Sequence, residues 1–177
     1  MSGRGAETAM ALLPILRWPH EGLSKRCEEV APSTLGSLVA DMFETMYAAP
    51  GRGLAAPQVG VMHRLFVMDA TWKEGPGSPV VMINPEIMAY DGGTDILAEG
   101  CLSIPGITID VERSKSVNMR WQDQAGDWQE RWFSGFEARC IQHEFDHLEG
   151  RVTFDHLEAE ARREAEARYA SALENEI

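Results

Sequence analysis

Hydrophobic residues recur every three or four positions in three parts of this sequence, which is the spacing of one face of an α-helix. The clearest stretch covers residues 33–48, with apolar positions at Leu35, Leu38, Val39, Met42, Phe43, Met46 and Tyr47. A second stretch covers residues 137–148, and Gly150 follows where a helix commonly ends. A sparser stripe runs through residues 157–177. The pattern therefore predicts three helices, the last of them at the C-terminus.

Two short apolar runs between the first and second predicted helices are typical of buried strands. They cover residues 65–68 and 80–83. Asn84 and Pro85 follow the second run, and a turn residue before proline is expected to close that strand.

A hairpin is predicted further along the chain. Residues 115–121 alternate between polar and apolar positions, a glycine-containing turn follows at 124–127, and residues 128–133 continue as a partner strand. Helices that flank a set of antiparallel strands indicate the α+β class.

Length and charge limit the functions that this chain can have. Its 177 residues match one domain, here residues 1–177, with a core large enough for a rigid site. No apolar run approaches the length that spans a bilayer. The formal net charge of -12 argues against direct binding to nucleic acid or to anionic membranes, because both need clustered basic residues.

Three cysteines cannot all pair, and a chain of this size needs no disulfide framework. A reducing compartment is therefore expected, namely a bacterial-type cytoplasm or an organelle matrix. Residues 1–9 fit a disordered extension, since the fold-like pattern begins only after them, and Met10 could equally be the natural start.

A candidate metal-binding motif lies in the second predicted helix. His143-Glu144-Phe145-Asp146-His147 is an H-E-x-x-H sequence. Four residues return a helix to nearly the same face, so both imidazoles can bind one divalent metal ion. Glu144 lies one position further round and can act on a water molecule as a general base without being a ligand. The alternative is a surface helix that is rich in His and Glu by chance.

A catalytic metal ion of this kind needs a third protein ligand. One protease motif would have histidine where this chain has Thr153, and another takes a glutamate from a following helix, which leaves Glu164 and Glu166 as candidates. Cys140 shares the helical face, but at about 1.5 Å per residue it lies roughly 7 to 8 Å from a shared ion, too far for a thiolate. Cys101 is the other candidate, although a buried, inert thiol is the default interpretation.

Three blocks of this sequence resemble the peptide deformylase family in their order and spacing. The first is GRGLAAPQVG at residues 51–60, the second is EGCLSIP at residues 99–105, and the third is QHEFDHLEG at residues 142–150. The similarity covers most of the chain, from about residue 13 to residue 154. Any block could occur by chance, but three of them in order are highly specific.

The resemblance implies a metal-dependent hydrolase that removes the N-formyl group from the N-terminal methionine of new polypeptides and releases formate. It implies antiparallel β-sheets around a central helix that carries the H-E-x-x-H motif. The implied ligands of one divalent metal ion are Cys101, His143 and His147. Fe²⁺ is the physiological expectation, and Zn²⁺, Ni²⁺ or Co²⁺ can substitute, because sulfur with two nitrogens suits several first-row ions.

The resemblance also implies the roles of five further residues. Glu144 is the general acid and base, while Gln58 and the backbone N–H of Leu102 bind the developing oxyanion. Gly53 and Gly100 are expected to line the substrate site, since glycine lets a peptide backbone approach closely.

Formylmethionyl nascent chains are the implied partners, and transient ribosome association remains open. Family members can dock on ribosomes through a basic C-terminal helix. The tail of this chain contains fewer basic than acidic residues. The basic ones are Arg162, Arg163 and Arg168, and the acidic ones are Glu158, Glu160, Glu164, Glu166, Glu174 and Glu176. Docking by that route is therefore not expected. Arg52 also departs from the family pattern, in which an apolar residue often precedes the glycine at this point, and this changes the expected rim of the pocket.

Two other functional classes are alternatives to the deformylase. A metalloendopeptidase is disfavoured by Thr153 and by the block around Cys101. A catalytically silent, metal-stabilised peptide-binding module is disfavoured by Glu144 and Gln58, because binding alone needs neither a base nor an oxyanion donor.

Overall fold

The computed structural model describes residues 11–176, so the predicted extension at 1–9 and the alternative start Met10 lie outside the described residues. In chain order, the helices and strands are α1 (Leu38–Ala48), β1 (Gly53–Ala55), β2 (Leu65–Asp69), β3 (Pro79–Cys101), β4 (Ile104–Gln122), β5 (Trp128–Ser134), α2 (Gly135–Leu148) and α3 (Ala159–Glu174). Short 3-10 helices cover Glu21–Ser24, Pro32–Thr34, Ala56–Val59 and Thr153–His156. The predicted α+β class and the C-terminal helix are confirmed.

The strands form a five-stranded antiparallel sheet in the order β1-β2-β3-β4-β5. The predicted hairpin of β4 and β5 is confirmed, with Gln122 opposite Trp128 and Val117 opposite Phe133. β3 and β4 form a longer, bulged hairpin that pairs Cys101 with Ile104 at its tip.

The prediction that Asn84 and Pro85 close a strand is wrong, because β3 continues through them to Cys101. The pairing of β3 with β4 shifts between Ile83 and Glu86, and Asn84 takes φ 49° there. The Asn84 side chain accepts from Val30 N and donates to Val30 O, which stabilises the bulge. Proline has no backbone N–H, and a bulge tolerates it because the residue there does not need to donate a hydrogen bond to the neighbouring strand.

The prediction that the first helix begins at residue 33 is also wrong. Gly36 has φ +55°, a backbone conformation that a right-handed helix cannot contain. The predicted helix is therefore interrupted there: a 3-10 helix covers Pro32–Thr34 before Gly36, and α1 begins after it at Leu38. The second predicted helix is found as α2, and Gly150 follows it with φ 75°, as a helix-terminating glycine does.

β2 is buried on both faces and separates two hydrophobic clusters. Phe66 and Met68 pack in one cluster with the α2 residues Ala138, Ile141 and Leu148. Their strand neighbours Leu65 and Val67 pack in the other cluster with the α1 residues Val39, Met42 and Met46. Burial of large side chains on both sides makes this strand a rigid support for the elements around it.

The C-terminal helix α3 packs against the start of β4. Ala165 and Tyr169 are buried in a third cluster with Ile104 and Ile109 of β4. A Cβ built on Gly106 would lie 2.8 Å from the Cβ of Ala172, so strand and helix approach closely there. Within residues 11–176, no helix combines the length and the apolar character that crossing a membrane requires.

Candidate active site

The tip of the β3–β4 hairpin meets one face of α2 at a cluster of metal-binding side chains. Cys101 ends β3, and its Sγ lies 3.5 Å from Nε2 of His147. The rings of His143 and His147 are 5.1 Å apart, one turn from each other on α2. One ligand atom from each of these residues lies within 4.8 Å of the other two. The structure thus brings together the three residues that were predicted as ligands.

The chemistry of these donors fits a divalent first-row ion. Burial opposes ionisation of the Cys101 thiol, but His147 and His143 beside it lower its pKa to about 5. The Nδ1 atom of His143 lies 2.9 Å from Oε1 of Glu99, which can only accept, so Nε2 keeps its lone pair for a metal ion. A thiolate with two imidazole nitrogens suits Zn²⁺ and Fe²⁺.

The other candidate ligands do not join this cluster. Among residues 11–176, the group of ligand atoms close enough to share an ion contains Cys101, His143 and His147. Burial and the nearby Glu144 carboxylate raise the pKa of Cys140 to about 12, which keeps it a thiol. Glu166 instead accepts a hydrogen bond from Arg162 on α3.

Glu144 is 2 % exposed and lies beside the cluster. Its Oε1 is 3.8 Å from Nε2 of His143, and its buried Oε2 has no hydrogen-bond partner in the described part of the chain. Burial raises the pKa of Glu144 above the usual carboxyl value. A buried carboxyl with a free oxygen and a raised pKa suits proton transfer near neutral pH.

Gly53 provides the space that the Glu144 carboxylate occupies. A Cβ built on Gly53 would lie 3.0 Å from Cγ and Cδ of Glu144 and 3.1 Å from Oε2. The glycine therefore has a structural function in addition to the predicted approach of substrate. Gly100 differs, because a Cβ built there would meet nothing within 4 Å.

Gln58 reaches the cluster from the 3-10 helix at Ala56–Val59 and is almost fully buried. Its Oε1 accepts from Ala55 N at 2.9 Å, and its Nε2 donates to Ser103 Oγ at 3.0 Å and toward Cys101 Sγ at 3.8 Å. The amide therefore presents a donor beside the predicted ligand Cys101. Leu102 follows Cys101 in the hairpin tip and packs against Gly51, where an added Cβ would lie 2.7 Å from Leu102 Cδ1.

These residues surround a cavity of about 390 Å³. The predicted site residues that line it are Gly53, Gln58, Gly100, Cys101, Leu102, His143 and Glu144. Phe136 also lines this cavity. A larger cavity of about 630 Å³ contains none of the predicted site residues among its described lining.

Arg52 lies at the rim of the same cavity. Its guanidinium donates to both carboxylate oxygens of Glu74 and, at 2.7 Å, to the carbonyl of Ala70. It also lies 5.2 Å from the centre of the Phe136 ring. Arg52 therefore changes the rim by forming an ion pair with Glu74. This pair links the start of β1 to the connection between β2 and β3.

Sequence reasoning missed a buried charge network behind His143, one of the predicted ligands. Glu99 accepts two hydrogen bonds from Arg113 at 2.9 Å and one from Arg139 at 2.6 Å, besides its contact with His143. Burial opposes the charge on Glu99, but Arg113 and His143 hold the pKa of this carboxyl well below its usual range. Asp146 accepts from Arg113 and lies 2.7 Å from His156, so it belongs to the same network.

Removing the Glu99 carboxylate is expected to weaken both the fold and the metal site. Glu99→Ala removes one buried carboxylate partner from each of two guanidinium groups, leaving Arg113 with Asp146 and Arg139 with Asp95. Breaking a buried ion pair in this way costs about 3–5 kcal/mol of unfolding free energy. It also frees the His143 ring, and loss of such support lowers metal affinity about 10- to 100-fold. Denaturant unfolding and metal titration check these effects. Glu112→Ala is the control, because that exposed carboxylate on β4 accepts only from Thr94 among the described side chains. Unchanged metal affinity in Glu99→Ala would contradict the orienting role.

Known proteins resemble this chain over most of its length. A family model described as polypeptide deformylase matches residues 12–163. A peptide deformylase from Xylella fastidiosa is 48 % identical over 153 residues, which cover 84 % of this chain and 88 % of the relative. The crystal structure of a peptide deformylase from Legionella pneumophila is similar with a TM-score of 0.84 and 38 % identity, covering 91 % of this chain and 95 % of the other. A peptide deformylase from Synechococcus elongatus in complex with actinonin is similar with a TM-score of 0.81 and 36 % identity, covering 93 % and 87 %.

Proposed function

Because this chain belongs to the peptide deformylase family, whose members remove the N-formyl group from new polypeptides, we propose that the cavity between β1, the hairpin tip and α2 is its active site. The activity follows from the family, and the assignment of individual residues is our proposal. The observation that carries it is the convergence of Cys101, His143 and His147 beside a buried Glu144 with a free carboxylate oxygen.

Cys101, His143 and His147 would hold one divalent ion at this cavity. The ion, when bound, supplies the Lewis acidity that makes water a nucleophile at neutral pH. The support is the donor set itself, a thiolate of lowered pKa and two imidazoles. We propose Fe²⁺ as the physiological ion, with Zn²⁺, Ni²⁺ or Co²⁺ as substitutes, because all of them accept sulfur and nitrogen ligands.

Glu144 moves the protons in the proposed reaction. Its carboxylate takes a proton from the attacking water as the water oxygen bonds to the formyl carbon. It then gives that proton to the amine nitrogen as the carbon–nitrogen bond breaks. Formate and a peptide with a free N-terminus result. Burial raises the pKa of Glu144, which supports this role because a carboxyl of raised pKa accepts a proton more readily than an exposed one.

Gln58 and Leu102 stabilise the negative charge that develops on the formyl oxygen. The Gln58 amide is held with its nitrogen toward Cys101, and the Leu102 backbone N–H comes from the next residue of the hairpin tip. Donors fixed before the reaction cost no reorganisation during it. Gly53 and Gly100 line the two walls of the cavity and leave room for the peptide backbone.

The scaffold is part of the proposal. We propose a single catalytic domain in which α2 takes a central position, supported by its packing against residues of β2, β3, β4 and β5.

A bacterial-type cytoplasm is the proposed compartment, in keeping with three free cysteines: Cys27, Cys101 and Cys140. Nascent formylmethionyl chains are the proposed partners, and the acidic surface of α3 gives no support to ribosome docking through that helix.

The function is tested by formate release from formyl-Met-Ala-Ser, with metal content measured on the same sample. We expect formate in proportion to bound metal, and no acetate or free amine from acetyl-Met-Ala-Ser, whose larger acyl group serves as the control. Anaerobic preparation is needed because a thiolate at Fe²⁺ is sensitive to oxidation. Absence of formate from fully metallated protein would favour the silent peptide-binding module instead.

A further inference from the structure

The Gln58 side-chain amide has three neighbours: Ala55 N, Ser103 Oγ and Cys101 Sγ. Of these, only the side toward Cys101 takes part in the reaction proposed above. Ala55 N donates to Oε1 at 2.9 Å, and a backbone N–H can only donate, so the oxygen must face Ala55. The amide nitrogen must then face the opposite side. There it donates one hydrogen to Ser103 Oγ at 3.0 Å and directs the other toward Cys101 Sγ at 3.8 Å.

Ser103 is well placed to keep this arrangement fixed. It is 0 % exposed, so water cannot readily replace its hydroxyl. Its own backbone carbonyl accepts from Trp18 N at 2.9 Å, which anchors the residue from the other side. It also follows directly after Cys101 and Leu102 in the hairpin tip, so movement of the tip would move all three together.

We propose that Ser103 is a positioning residue for the deformylation reaction. By accepting one N–H of Gln58, it holds the amide plane so that the second N–H points to the space beside Cys101, where the formyl oxygen develops its charge. This inference rests on the role proposed above for Gln58. Ser103 itself touches neither the substrate nor the reacting atoms.

Without the Ser103 acceptor, the amide keeps its contact with Ala55 but can rotate about its last side-chain bond. Part of the population would then aim both N–H groups away from the reacting oxygen. Loss of a whole oxyanion donor lowers kcat by about 10²- to 10³-fold, so partial misalignment should cost less, about 10-fold. Substrate binding in the ground state should change little, so KM is expected to stay within about two-fold.

A double-mutant cycle between Ser103→Ala and Gln58→Ala tests this coupling. In the native background, Ser103→Ala is expected to lower kcat about 10-fold with bound metal unchanged. In the Gln58→Ala background, where no amide remains to be positioned, the same substitution should change kcat by less than about two-fold. A merely structural role would lower kcat equally in both backgrounds and would overturn the proposal.

Two further variants keep the test decisive. Ser103→Thr retains the hydroxyl and is expected to keep kcat within about three-fold of the native value even if its melting temperature falls. This measurement stands if Ser103→Ala does not fold, and a ten-fold loss in the threonine variant would overturn the proposal. Thr45→Ala removes a different buried hydroxyl, one that accepts from Leu13 N and donates to Asp41 O, and should lower stability while leaving kcat unchanged.

Failure of the inference can be separated from failure of the role on which it rests. Full turnover in Gln58→Ala would show that Gln58 is not the oxyanion donor, and the positioning role would fall with it. Loss of turnover in Gln58→Ala together with equal Ser103→Ala effects in both backgrounds would remove the positioning role alone.

Discussion

Replacing Glu144 with alanine is expected to remove nearly all formate release while leaving the metal ion bound. Loss of a positioned acid and base lowers turnover by about 10²- to 10⁴-fold, and here one carboxylate performs both proton transfers. The metal should remain because the ligand cluster consists of Cys101, His143 and His147 without Glu144. Steady-state kinetics and metal analysis on the same preparation measure both quantities.

Glu137→Ala is the matched control for this experiment. It changes the same residue type on the same helix, but Glu137 pairs with Arg131 at 3.6 Å on the surface, and surface pairs contribute little to stability. Turnover should be unaffected. Metal loss from Glu144→Ala would mean that this carboxylate is a ligand, and the proposed division of roles would then be wrong.

Replacing Cys101 with alanine is expected to abolish both metal binding and turnover. The thiolate is one of three donors, so its removal should lower metal affinity by more than the roughly 10- to 100-fold that follows loss of a supporting hydrogen bond. The fold should persist, because Cys101 lies at a hairpin tip and is only partly buried. Metal titration, formate release and circular dichroism together separate a lost site from a lost fold.

Cys140→Ser provides the comparison for the thiol chemistry. Cys140 lies on α2 within the same cavity, but burial keeps its pKa near 12, so its substitution should leave metal content unchanged. Retention of metal in Cys101→Ala together with loss in Cys140→Ser would reverse the assignment of the third ligand.

The residues of the proposed site could be predicted because their signals are local in sequence. Two histidines four positions apart need only a helix to meet, and Gly150 marked the end of that helix correctly. The sequence signal for Cys101, the proposed third ligand, was weaker. Nothing in the immediate surroundings of Cys101 distinguishes a ligand from an inert thiol, and only its likeness to a family block led to it. The hairpin that carries it to α2 became visible in the structure.

The supporting network could not be predicted, because it depends on strand register. Arg113 reaches Glu99 from the opposite strand of the β3–β4 hairpin, where the pairing also contains bulges that shift it by a residue. A shift of one residue moves a side chain to the other face, so no pattern in the sequence indicates which charges meet. The strand boundary at Asn84 was missed for a related reason. A bulge allowed a residue pair that usually ends strands to remain inside one.

Gly53 and its neighbour Arg52 contact different parts of the proposed site. The Glu144 carboxylate occupies space that a side chain at position 53 would need, so a larger residue there is expected to displace the proposed general base. The Arg52 side chain extends to Glu74 at the rim instead, away from the base. Residue 52 therefore acts on the entrance of the cavity, while residue 53 acts on the position of the proposed base inside it.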